Sequence, residues 1–349
     1  MIEIREVTSI HDLKKFIDFP HRLYHGNPYW VPSLRFDELN TLRFDKNPAF
    51  EHCEAKYWLA YKDGKIAGRI AGIINHLYIK TWNKKQARFG WIDFIDDLEV
   101  SRALLATVEK WAYDKGMAAI HGPLGFCDLD REGMLIEGFQ ELATLATNYN
   151  YPYYPRHLEA LGYQKDIDAV EFELKAPAQI PEAIDRINQV LLKRGKFTIV
   201  QAKRSKDLLP YIPGLFQLLN QAYHELYGVV PLNEGQIKAY TKQYFGFVNP
   251  DFVKIILDQD GQVAAFGISI PSLSRALQKS KGRLFPFGFI HLLKAMKHND
   301  TLDLYLIGVR PDLQSKGVNS LVMTEITRAA SEHAIVKAES NPELESNSK

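Results

Sequence analysis

Apolar and polar positions change rhythm along this chain in an order that occurs twice. Alternation over Glu3 to Val7 predicts a strand, and apolar spacing around His11 to Phe19 predicts a helix. Tyr57 to Tyr61, the pair Asp63-Gly64 and the run Lys65 to Gly68 predict a hairpin. Gly90 to Ile95 then predicts a strand, Ser101 to Lys115 a helix, and Ala118 to His121 a buried strand. The second half repeats the order. Phe197 to Gln201 reads as a strand, Lys206 to Leu226 as helical, and Val253 to Leu257 as a strand turning at Asp260-Gly261 into Val263 to Ala265. Leu302 to Val309, Val318 to Ala334 and Ile335 to Glu339 follow as strand, helix and strand. This repetition predicts a diverged internal duplication. Ala176 to Lys196 reads as the linker. Pro177 and Pro181 open it, and Ile184, Ile187, Val190 and Leu191 give part of it a helical spacing.

The candidate chemistry sits where the apolar strand Leu304 to Val309 runs through Arg310, Pro311, Asp312 and Leu313 into Gln314-Ser315-Lys316-Gly317-Val318-Asn319. A strand, a glycine turn and a helix N-terminus in that order form an anion cradle. The first amides of a helix lack internal partners, and the helix dipole adds positive potential there. Gly317 lets the backbone approach a phosphate, and Lys316 and Arg310 add positive charge.

The spacing Gln314-x-x-Gly317 resembles the acyl-CoA signature of the GNAT acyltransferase superfamily, Q/R-x-x-G-x-G/A, with Asn319 standing where that signature has Gly or Ala. The repeated element order is that of a GNAT domain. The resemblance implies an α/β (α+β) fold of two tandem GNAT-like domains, each a mixed central sheet flanked by helices. It implies domains at 1–175 and 197–349 around a partly helical linker at 176–196. By the same resemblance the residues Gln314 to Asn319 hold the CoA pyrophosphate, and backbone at Gly308 and Val309 holds the thioester carbonyl. Asp303, six residues before Val309, stands where histone acetyltransferases of the superfamily carry a catalytic glutamate. It is the candidate base, or else it ends the loop Asn299-Asp300-Thr301. Glu339 is a second catalytic candidate, or with Asn341 orients substrate. Tyr305 shares a face with Asp303 on an alternating strand and is a candidate lining residue for the acceptor.

The two copies differ in chemistry. Where the second has its glycine turn, the first has Asp96-Asp97-Leu98-Glu99-Val100-Ser101-Arg102, which would meet a pyrophosphate with negative charge. Those acids suit the N-terminus of the next helix, and the first half reads as a degenerate copy. Its further segments are Gly122-Pro123-Leu124-Gly125, Glu132 to Phe139, Asn148 to Pro155 and His157 to Tyr163. These resemble a bacterial tandem-GNAT family. The tyrosines from Tyr149 to Tyr154 either line a cleft or pack a domain edge. In the second copy an insertion from Pro271 to Asp300 carries Pro286-Phe287-Gly288-Phe289, then Ile290, Leu293 and Met296 at helical spacing. Four readings stay open: a lid, an acyl-chain pocket, a membrane-touching helix, or a helix that covers the other domain.

Composition narrows the field. With 349 residues, 46% hydrophobic positions and a net charge of +1, the chain suits two ordinary domains and no bulk electrostatic binding of nucleic acid. Cys53 and Cys127 are its two cysteines, which suggests reduced thiols and a cytoplasmic location. The alternating N-terminus lacks the pattern of a signal peptide, and no segment suits stable membrane insertion. His291 and His298 lack metal-ligand spacing, so no metal is expected. Only ten residues follow Glu339, so the second copy is expected to lack its last helix and strands, either because the chain is a fragment or because a partner subunit supplies them, and the run from Pro342 to Lys349 reads as a frayed polar tail. The leading reading is N-acyl transfer from acetyl-CoA or another acyl-CoA to a small-molecule amine. The rival is a non-catalytic tandem scaffold that binds a ligand or protein. An aminoacyl or longer acyl donor is a third reading.

Overall fold

The computed structural model describes residues 1–345 except 178, 246 and 247. The chain forms two compact units. The first comprises Met1–Asp166 with Ser274–Phe289, and the second Ile167–Leu273 with Ile290–Lys349.

In the first unit, β1 (Ile2–Glu6) leads to α1 (Ile10–Leu23) and α2 (Arg35–Thr41). The Ser9 hydroxyl accepts from the Asp12 amide and so satisfies one of the free donors at the start of α1. That helix runs past the Phe19 expected from sequence and through Pro20. β2 (Cys53–Lys62) and β3 (Lys65–Asn75) form the expected hairpin. Asp63 and Gly64 both have positive φ, as the tight turn requires. After α3 (His76–Trp82) come β4 (Gln86–Phe94), α4 (Leu98–Asp114), β5 (Ala119–His121) and α5 (Tyr153–Ala160). The sheet order is β1-β2-β3-β4-β5, antiparallel except for β4 and β5. A parallel neighbour needs a crossover, which α4 supplies.

One face of this sheet packs Leu104, Leu105, Val108 and Trp111 of α4, and the other packs Leu13, Phe16 and Ile17 of α1. A Cβ on Gly68 would meet Leu104 at 2.7 Å, and one on Gly72 would meet Trp111 at 2.9 Å. The two glycines therefore let α4 close onto β3. Tyr149 and Tyr154 lie in the core of this unit rather than on an open wall. The Tyr154 hydroxyl shares the Asp93 carboxylate with Tyr24.

The second unit opens with β6 (Ala169–Val170) and β7 (Glu173–Lys175), followed by α6 (Glu182–Gly195) and β8 (Thr198–Ile199). A 3₁₀ turn at Ser205–Tyr211 breaks the expected helical region, leaving α7 (Ile212–Tyr223) and then α8 (Glu234–Tyr244). β9 (Val253–Leu257) and β10 (Val263–Pro271) form the second hairpin. The chain then visits the first unit through α9 (Ser274–Ser280), where Gln278 donates to the Pro28 and Trp30 carbonyls. It continues through α10 (Gly288–Lys297), β11 (Thr301–Val309), α11 (Val318–Glu332), β12 (Lys337–Ser340) and β13 (Glu343–Leu344).

The second sheet has the order β7-β12-β11-β10-β9-β8. Its last five strands repeat the first sheet, with the parallel pair β11 and β12 joined by α11. Gly267 repeats the role of Gly68: its Cβ would meet Val322 at 2.5 Å and Ile326 at 2.8 Å of α11. The edge of the second sheet beside β12 is not left open. β7 pairs antiparallel with β12, and β6 pairs with β13. The strands that follow α5 thus join the second sheet, and part of the expected frayed tail is a strand. The last four residues of that tail lie outside the described residues.

Candidate active site

β11 is paired with β12 from Thr301 to Leu304 and runs on to Val309 paired with β10 only. The parallel pair therefore splays open beyond Leu304. On its other side β11 carries a bulge. Leu304 faces Ser269 and Leu306 faces Ile268, which leaves Tyr305 as the extra residue. A strand alternates its faces, so Asp303 and Gly308, five apart, would otherwise point opposite ways. With the bulge they lie opposite Ile270 and Phe266 respectively, two positions of one face of β10.

Asp303 is 4% exposed, and its Oδ1 has no hydrogen-bond partner. Burial pushes its carboxyl up to about 7, and neighbouring Glu339 adds to the rise; a Ser272 hydrogen bond and Lys337 act the other way. Glu339 stands beside Asp303 in the parallel register and holds an ion pair with Lys337 at 2.9 Å. Lys337 also bonds Glu173 on β7 at 2.8 Å. The site thus has a buried carboxyl poised to change charge near neutrality, beside a second carboxylate already neutralised by a lysine.

Asn341 sits in the splay. Its Nδ2 donates to the Tyr305 carbonyl at 2.6 Å, and its Oδ1 is buried without a partner. Tyr223 of α7 donates to the Ile307 carbonyl at 2.9 Å. A Cβ on Gly308 would lie 2.5 Å from Phe266 and 2.8 Å from Leu218, so core side chains close against this position. Val309 accepts from the Gln314 side-chain amide at 3.3 Å, which folds that side chain back onto the strand end.

The turn into α11 has the form of an anion nest. Ser315 and Gly317 have φ of 58° and 79° around Lys316, and such alternation makes successive amides converge. Among the described residues, the backbone N–H groups of Ser315, Gly317, Val318 and Asn319 form no hydrogen bond. Ser315, Lys316 and Asn319 are exposed, while the Val318 side chain is buried under the turn. Leu191 of α6 lies 3.3 Å from where a Gly317 Cβ would stand, so α6 closes one side of the turn. The positive charge expected from Arg310 is spent, because it pairs with Asp258 and Asp312 at 2.7 Å each. Lys316 is the exposed cation that remains. A groove of about 460 Å³ between α6 and α11, lined by Asp185, Arg186, Arg328 and Glu332, lies toward the other end of α11, away from Gly317.

The equivalent corner of the first unit is closed. Asp97 caps α4, which starts at Leu98 and not near Ser101, and its carboxylate pairs with Lys62. β4 and β5 also part after Arg88 and His121, but the chain itself fills the gap: the Leu124 amide donates to the Phe89 carbonyl at 2.9 Å. A Cβ on Gly90 would lie 2.3 Å from the Leu124 oxygen. Asp130 accepts from the Phe126 and Cys127 amides and pins that segment. Burial of the carboxyl groups pushes Asp128 and Asp130 up to about 6 and Glu132 well above its ordinary range, although each residue keeps part of its surface.

Sequence reasoning missed Tyr223, Ser272 and Lys337, which reach the strand from elsewhere in the chain. The alternation of Lys337 and Glu339 on one strand face was the one available signal. Among the described residues no group of His, Cys, Asp or Glu could hold a metal ion, and no helix is long and apolar enough to cross a membrane.

Comparison with solved structures shows the fold. A tandem GNAT protein from the clavulanic acid biosynthesis pathway aligns with a TM-score of 0.54 at 13% identity, over 99% of this chain and 91% of that one. A GCN5-related glucosamine N-acetyltransferase region of a fungal multi-domain β-N-acetylglucosaminidase aligns at 0.52 and 12% identity, over 98% of this chain and 35% of that one. No family model matches the sequence. A bacterial ceramide synthase from Caulobacter vibrioides is 27% identical over 90% of this chain and 82% of its own length. Protein YghO of Escherichia coli is 30% identical over 322 residues, 91% of this chain and 81% of its own. With that extent of similarity and two mixed sheets of GNAT topology, the chain belongs to the family of Escherichia coli YghO and is a tandem GNAT-fold protein.

Proposed function

We propose that this chain is an N-acyltransferase that takes its acyl group from a CoA thioester bound by the second unit. The observation that carries the reading is Asp303: a buried carboxyl on a bulged, splayed strand, held up to about 7. A general base works best with a pKa near the working pH. The Asp303 carboxylate takes a proton from the acceptor amine, directly or through one water, as the nitrogen attacks the thioester carbonyl carbon. The carbon–sulfur bond then breaks, an amide forms, and the thiolate of CoA leaves and is protonated. The open amides of Ser315, Gly317, Val318 and Asn319 suit the pyrophosphate of the donor, with Lys316 adding charge. The first unit serves as a degenerate copy, its corner filled by its own chain.

The acceptor we favour is the amino group of a long-chain lipid amine, with a fatty acyl donor. The support is the Caulobacter vibrioides relative, whose name states that it makes ceramide, an N-acylated lipid amine, and which aligns over most of both chains. A scaffold reading draws on a separate observation, the Asn341 side chain bonded to the Tyr305 carbonyl inside the splay.

Calorimetry with CoA and with fatty acyl-CoA separates the two readings. The wild-type chain is expected to bind, and a Gly317→Glu variant, which puts a carboxylate beside Leu191 and the nest, is expected to lose at least about tenfold in affinity. Equal binding by both proteins would remove the cradle from the site. Binding without release of free thiol in the presence of a sphingoid amine would favour the scaffold.

A further inference from the structure

Three neighbouring strands of the second sheet line up a row of carboxyls. Register places Glu173 of β7 opposite Glu339 of β12, and Glu339 opposite Asp303 of β11. Side chains directly opposite share a face, so all three stand on one side of the sheet. Glu171 is held beside the row through its neighbour. The Ser340 amide donates to the Phe172 carbonyl at 2.9 Å, and the Phe172 amide donates to the Ser340 hydroxyl at 3.0 Å. The Glu171 carboxyl comes close enough to Glu339 for the two charges to repel. Every one of these residues belongs to the second unit.

The row is short of positive charge. Lys337 bonds Glu173 at 2.8 Å and Glu339 at 2.9 Å, which accounts for two of the four acids. Lys175 stands opposite Lys337, at the end of the row away from Glu171, while Glu343 of β13, opposite Val170, adds a further acid near Glu171. Asp303 and Glu171 are left over. Asp303 is buried and its Oδ1 accepts from no donor. Glu171 forms no hydrogen bond or ion pair among the described residues. Burial pushes the Asp303 carboxyl up to about 7 and does the same to Glu171, although Glu171 keeps part of its surface; Glu339 raises both. A third acceptor waits at the same opening: Asn341 donates to the Tyr305 carbonyl, two residues beyond Asp303, and its own Oδ1 is buried without a partner. Buried acceptors without donors are rare and call for a ligand or water to complete them.

We propose that Glu171 and Asp303 form an ammonium subsite, which takes the acceptor of acyl transfer as a primary alkylammonium ion and removes its two surplus protons in turn. The inference rests on the acyl-transfer reading of this site and deepens it. A primary ammonium carries one positive charge and three N–H donors, which matches the missing charge and the three open acceptors, Asp303 Oδ1, Asn341 Oδ1 and the Glu171 carboxylate. Among the described residues no group of acids could hold a metal ion, so the cation the row suits is organic. An alkyl amine, like a lysine side chain, keeps its third proton up to about pH 10, so it arrives charged. It loses two protons on becoming an amide. Glu171, which is partly open to water, takes the first and passes it to solvent. Asp303 takes the second as the nitrogen–carbon bond forms, and that proton ends on the thiolate released when the carbon–sulfur bond breaks. One proton in all goes to solution.

The test is calorimetry of the full chain with octylamine and with octanol, its uncharged counterpart, in two buffers of different protonation heat. Wild type is expected to bind octylamine and not octanol. At pH 7 it is expected to release roughly one proton per amine, because a bound cation favours the ionised form of two carboxyls that are each about half protonated there. Glu171→Gln is expected to lose at least about tenfold in octylamine affinity and roughly half of the proton release, with CoA affinity and circular dichroism unchanged. Glu343→Gln, which removes an exposed acid close by, is expected to bind octylamine as wild type does. Wild-type affinity in Glu171→Gln, an equal loss in Glu343→Gln, octanol binding as tight as octylamine, or no octylamine binding by a chain that binds CoA would each overturn the subsite. Octylamine binding with proton release in a chain that fails to bind CoA would instead remove the acyl-transfer reading and leave the subsite standing.

Discussion

Asp303 shows what a single side chain carries here. Its carboxyl titrates near 7 in the folded chain and near its ordinary 3.8 when unfolded. Between those values the folded state keeps a proton that the unfolded chain has released, so stability falls as pH rises through that window and stays lowered above it. An Asp303→Asn variant escapes this loss, which amounts to about 1.4 kcal/mol for each tenfold difference in proton affinity between the two states. Its melting temperature is expected to exceed that of wild type above pH 7 and to converge with it below the ordinary carboxyl range. Thermal melts across that range measure this, and a constant offset would refute it. The same variant is expected to bind acyl-CoA unchanged, while turnover falls at least about a hundredfold and loses its inflection near 7. The place of Asp303 on a strand was legible in the chain's alternation. Its unusual proton affinity was not, because burial and the contacts with Ser272, Glu339 and Lys337 come from strands and loops distant in sequence.

At the scale of elements, both copies carry a bulge on the fourth strand of the motif. In β11 it falls at Tyr305, and in β4 it leaves Trp91 and Ile92 opposite Ile70, with Trp91 at φ 43°. Alternation of residue types located each strand but could not reveal its bulge, because one extra residue shows only against the partner strand. The bulge in β4 is followed by a buried charge network. Asp93 pairs with Arg69 at 2.8 Å and accepts from the Tyr24 hydroxyl at 2.9 Å. Both charged residues are 7% exposed. Removing one partner leaves the other charge buried and uncompensated, so Arg69→Met and Asp93→Ala are each expected to cost about 3–5 kcal/mol. The double variant is expected to cost clearly less than their sum, because neither charge is then stranded. Urea denaturation measures all three, and additive losses would show that the pair is not coupled.

The whole molecule differs from a simple tandem in how strands are shared out along the chain. Local pattern showed two copies, since element order survives divergence. It did not show which sheet receives Glu173–Lys175, because a sheet edge accepts any strand that reaches it and pairing leaves little trace in composition. In the fold, β7 closes the edge beside β12 and carries Glu173 to Lys337, the residue that neutralises Glu339 next to Asp303. α6 then lies along α11: Asn188 donates to the Thr324 hydroxyl at 2.6 Å, and Asp185 pairs with Arg328 at 2.8 Å. The segment 167–196 is therefore part of the second unit in structure, although it precedes the repeat in sequence. Two fragments test this. A chain of residues 167–349 retains β7 and α6 and is expected to melt cooperatively. A chain of residues 197–349 exposes the β12 edge and the apolar flank of α11, and is expected to lose that transition and bind hydrophobic dyes. If both fragments melt alike, β7 and α6 are ornaments on a unit that is complete without them, and the Lys337–Glu339 pair beside Asp303 needs no strand from outside the repeat.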